Sequence, residues 1–67
     1  MIVAKLTQEQ AEQLKGLEVV KNNYFNPILD ADNNYIISLE EVEQCDIEWV
    51  KTLSQIEYNP IINDIIL

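Results

Sequence analysis

The apolar positions of this chain come in short bursts, and each burst is closed by a recognisable stop. "MIVAK" opens as a short β-prone run, with Ile2, Val3 and Ala4 in succession. "LTQEQAEQLKG" then starts a helix. Thr7 stands at the N-cap and Gln10 three residues later, the spacing of a capping box. Leu6, just outside, is placed to staple onto Ala11, and Glu9 and Glu12 lie near the positive end of the helix dipole. Gly16, the only glycine, suits a left-handed stop, so the helix should end near Lys15. The apolar spacing of Leu14, Leu17 and Val20 would also let it run to about Lys21.

The next bursts have a different period. Tyr24, Phe25, Ile28 and Leu29 favour a strand, and Pro27 excludes a helix interior. "DADNN" is turn chemistry, because Asp and Asn side chains bond their own backbone and tolerate positive φ. "YIIS" reads as a second strand. Ser38 and Glu41 repeat the capping box, which sets a helix start at about Leu39. Its end is open: Ile47, Val50 and Leu53 keep helical spacing, while Asp46 could cap a fresh short helix. Pro60 stops any helix near the end, and "IINDIIL" follows as an extended or packed tail. "YFNPIL" at 24–29 and "EYNPII" at 57–62 echo each other at an offset of 33 residues (60 − 27), read here as chance recurrence of a helix-stop dipeptide.

The fold prediction is α+β, a single domain over residues 1–67. A small antiparallel sheet is built on the β-hairpin of residues 24–29 and 34–38. Two short helices pack on one face of it.

Size and charge narrow the classes. For 7.8 kDa, roughly 60% of the extended-chain surface is buried on folding, which is marginal for a lone monomer. Chains this short usually need a staple, a metal or a partner. Cys45 is alone, so a disulfide framework is excluded, and without histidine a zinc site has a poor ligand set. Net charge is −8, from twelve acidic residues against four lysines and no arginine. That balance argues against nucleic acid and anionic membranes as partners, both of which need clustered positive charge. No signal-peptide pattern opens the chain, so a cytoplasmic setting is expected.

One stretch carries candidate chemistry. Asp30, Asp32, Asn34, Ser38 and Glu41 fall at positions 1, 3, 5, 9 and 12 of a calcium loop, with Ile36 offering a carbonyl at position 7. Over these twelve or so residues the chain resembles the loop of the EF-hand family, or the loop-helix half of a dockerin. The resemblance implies calcium as a ligand. Three departures weigh against it: Tyr35 stands where the loop needs glycine, Pro27 removes the entering helix, and no second loop is present. The hairpin reading needs no exception, and it gives these residues ordinary work in a turn and a cap. No cofactor is therefore expected, and calcium stands as the alternative.

No other cluster points to catalysis. Glu9, Glu12, Glu40, Glu41 and Glu43 sit near helix starts, where dipole compensation explains them, and Cys45 has no histidine to activate it. Trp49 and Tyr58 are candidate contact residues, as aromatics often are. So are Ile61, Ile62, Ile65 and Ile66, because so small a core has little room for them. Over nearly its whole length, through "LTQEQAEQLKG", "NYFNPILDADNNYIISLEEVEQC" and "WVKTLSQIEYNPI", the chain resembles short proteins carried by phages and mobile elements of Bacteroides-type gut bacteria. That resemblance implies a non-enzymatic role, as a virion component or a modulator of a host protein. The expected function is thus an acidic, non-enzymatic protein-interaction domain that binds a protein partner or self-associates. The alternatives are a calcium-binding loop-helix module and an acidic mimic of nucleic acid.

Overall fold

The computed structural model describes residues 1–60. It contains β1 (Ile2–Leu6), α1 (Gln8–Leu14), β2 (Glu18–Val20), β3 (Asn23–Tyr24), β4 (Ile28–Leu29), β5 (Tyr35–Ser38), α2 (Leu39–Gln44), a 3₁₀ helix (Glu48–Thr52) and β6 (Gln55–Glu57). The fold is α+β. Four strands form an antiparallel sheet in the order β4-β5-β1-β6, and β2 pairs with β3 as a separate ribbon.

Both capping boxes form as the sequence predicts. Thr7 Oγ1 accepts the Gln10 N–H, and the Gln10 side chain accepts the Thr7 N–H. Ser38 and Glu41 do the same at α2. Gly16 takes φ +84° just past α1, a conformation that costs an L side chain energy. The chain then turns into β2 rather than continuing as helix to Lys21. Asn22, at φ 68°, closes the β2–β3 turn, and its N–H donates to the Glu18 carboxylate.

The first hairpin strand is shorter than residues 24–29. Tyr24 belongs to β3 and pairs back to Glu18. Phe25 is buried, and its N–H donates to Leu17 O. The Asn26 N–H goes to Glu41 Oε2, and Pro27 has no N–H to offer. Pairing with β5 therefore begins only at Ile28. Nor is this hairpin the centre of the sheet, since β1 and β5 occupy the middle. The second helix stops at Gln44, and Lys51 of the 3₁₀ helix donates to the freed carbonyls of Val42 and Glu43. The two "NPI" segments play different parts: Phe25 is buried, whereas Tyr58 is half-buried and follows β6.

Both helices cover the same face. Ala11 and Leu14 of α1 join Ala4, Leu6, Phe25, Ile37, Cys45 and Val50 in one buried cluster, and Leu39 and Val42 of α2 pack against it. Val3 and Ile36 are also buried but lie outside that cluster. Strand alternation sends them to the opposite face.

Beyond the edge strands the chain is tied across the ends of the sheet. Register puts Leu6 opposite Tyr35 at one end of the sheet and Ile2 opposite Glu57 at the other. The Tyr58 N–H donates to Met1 O at 2.8 Å, yet the next residue, Asn59, accepts the Ala31 N–H at 2.8 Å through its carbonyl. Asn59 Nδ2 also donates to Asp32 Oδ2 at 3.1 Å. Adjacent residues thus hold the chain beyond β6 to the chain beyond β4. The link ties the two ends of the sheet together beyond its edge strands, while β4 and β6 themselves stay apart. Among the described residues, no helix is long and apolar enough to cross a membrane.

Leu14 is fully buried, whereas Leu17 is 46% exposed. Leu14→Ala should cost about 2–5 kcal/mol in urea denaturation, and Leu17→Ala under about 1 kcal/mol. Equal losses at the two positions would contradict this core.

Candidate functional site

The five calcium-loop residues serve two separate hydrogen-bond systems. Asp30, Asp32 and Asn34 build the β4–β5 turn. Asp30 is buried, and its Oδ1 accepts the N–H groups of Asp32 and Asn34, both at 2.9 Å. The Asp30 N–H donates to Asn34 O, and Asn33 adopts φ 65° at the corner. Ser38 and Glu41 belong to the cap of α2. Glu41 Oε1 accepts from the Ser38 N–H and hydroxyl, and Oε2 accepts from Asn26. Bidentate binding of an ion by Glu41 would break these bonds. Among the described residues, no three His, Cys, Asp or Glu side chains gather as a metal site. Among the described residues, Asp30 Oδ2 is buried without a hydrogen-bond partner.

The more developed feature is a groove of about 440 Å³ at the Met1 end of the sheet. Its floor comes from the second face, with Val3, Ile28 and Ile36, and from Val19 and Ile37. Asn23, Tyr24 and Asn26 form one wall, Glu40, Glu41 and Gln44 of α2 another, and Met1 and Tyr58 close the end. Glu41 fixes its shape, because the bond to Asn26 ties the helix start to the β3–β4 segment. The apolar wall is open to solvent, with Met1 79%, Tyr24 58% and Ile28 44% exposed. Among the described residues, two carboxylates line the groove and no lysine does. Tyr58, one of the candidate contact residues, lines this groove. Trp49 lies elsewhere, half-buried against the core beside a more polar depression with Leu53 and Ile56. Ile61, Ile62, Ile65 and Ile66 fall outside the described residues.

Sequence reasoning missed the groove residues Val3, Tyr24, Ile28 and Ile36. A signal was present in the paired apolar residues Val3–Ala4 and Ile36–Ile37, which a strand must send to opposite faces. Comparison of the chain with protein-family models, with curated proteins and with solved structures finds no match.

Glu41→Ala removes the acceptor for three donors and should cost about 1–3 kcal/mol, and Ser38→Ala about 1 kcal/mol. The double variant should cost less than the sum, because both act in one box. Fully additive losses in chemical denaturation would refute the shared cap.

Proposed function

We propose that this chain is a non-catalytic protein-interaction domain, that the groove is its contact surface, and that it self-associates. The observation that supports the reading is the open apolar wall of Met1, Tyr24 and Ile28, continuous with buried Val3 and Ile36. Such continuity marks contact sites on proteins this small. A net charge of −8 and a groove without lysine make phosphate-bearing partners poor ligands for it. A structural or host-modulating role in a phage or mobile element, in the virion or the cytoplasm, fits this reading.

The test is light scattering coupled to size-exclusion chromatography. The full chain should run above its 7.8 kDa monomer mass at micromolar concentration, and Ile28→Asp should shift it towards monomer. Because like-charged copies repel, association should tighten as salt rises. A monomer at every concentration and salt would end the self-association reading.

A second reading is favoured by the unpartnered, buried Asp30 Oδ2. It is a cation held at the β4–β5 turn without Ser38 or Glu41. If so, calcium at a hundred times its Kd adds about 2.7 kcal/mol of stability, seen as a raised Tm that Asp30→Ala abolishes. An unchanged Tm at millimolar calcium removes this reading.

A further inference from the structure

We infer that the groove receives a second copy of this chain, through its residues 61–67. The inference rests on the groove being the contact surface and names what fills it. The segment "IINDIIL" carries five large apolar side chains in seven residues and a single charge, Asp64. With one charge in seven residues, its entry beside Glu40 and Glu41 brings little added repulsion.

The path of the backbone selects a neighbouring copy over the same chain. Tyr58 lines the groove, but Asn59 bonds to Ala31 and Asp32, which do not. The chain therefore walks out of the groove between these two residues. Three hydrogen bonds hold it on that course: Tyr58 to Met1, Ala31 to Asn59, and Asn59 to Asp32. Pro60 then biases Asn59 towards extended geometry. Re-entry into the same groove would require an immediate reversal, whereas a neighbour's segment can enter without one. The exchange is self-complementary: each copy offers one groove and one segment, as a two-fold dimer requires. It also supplies the apolar area that a chain of this size lacks alone.

The test uses the full chain. An equal mixture of methyl-labelled and unlabelled protein is examined by isotope-filtered NOE spectroscopy. Contacts between Ile62 or Ile65 methyls of one copy and Val3, Ile28 or Ile36 methyls of the other are expected. In sedimentation equilibrium, Ile62→Asp and Ile65→Asp should each weaken the dimer about tenfold or more. Far-UV circular dichroism of both variants should match the parent chain, which separates loss of the dimer from loss of the fold. Contacts confined within one chain would overturn the inference. So would a dimer that Ile28→Asp weakens and the segment variants do not, although the contact reading would then survive. A strict monomer would overturn both.

Discussion

Two apolar residues in succession on a strand cannot share a face. β1 and β5 each contain such a pair, Val3–Ala4 and Ile36–Ile37, and all four side chains are buried. Each contributes roughly 1.5–3 kcal/mol when fully removed from water, less for alanine, so neither face of the sheet is dispensable. The two helices are enough for one face only. The other features follow from the need to enclose the second face with very little chain. Asn59 ties the chain beyond β6 to the chain beyond β4, and a groove is left open at the Met1 end.

The polar residues are arranged to hold that geometry. Glu41 fixes the start of α2, the end of β5 and the Asn26 backbone at once. Asp30 organises the turn that brings Ala31 and Asp32 to Asn59. Carboxylates that sit at the spacing of a calcium loop are mostly occupied in this way. One architecture accounts for a turn, a cap and a seam, with the buried second oxygen of Asp30 as the remainder.

Local signals in the sequence were read correctly and distant ones were not. The Thr7–Gln10 and Ser38–Glu41 boxes, the Gly16 stop and the Asp/Asn turn all depend on residues within a few positions of each other. The place of β1 at the centre depends on partners more than thirty and fifty residues away, Ile37 and Gln55 among them. The expected strand over residues 24–29 failed at Asn26 and Pro27. The Asn26 N–H found Glu41, fifteen residues on, instead of a neighbouring strand. The groove was invisible for the same reason, since its walls come from both ends of the chain and from α2. Tyr58 was singled out only as an aromatic near an apolar tail, and the fold places it at the groove's end.

The seam between the chain beyond β6 and the chain beyond β4 holds this geometry, and one amide reports it. Ala31 lies in an exposed turn, and the Asn59 carbonyl is its hydrogen-bond acceptor across the seam. In native-state hydrogen exchange, its N–H should be slowed at least about a hundredfold relative to an open loop amide. Exchange of the Ala31 amide at the rate of an open loop would mean that the Asn59 seam does not form and that the chain beyond β6 is not held to the chain beyond β4.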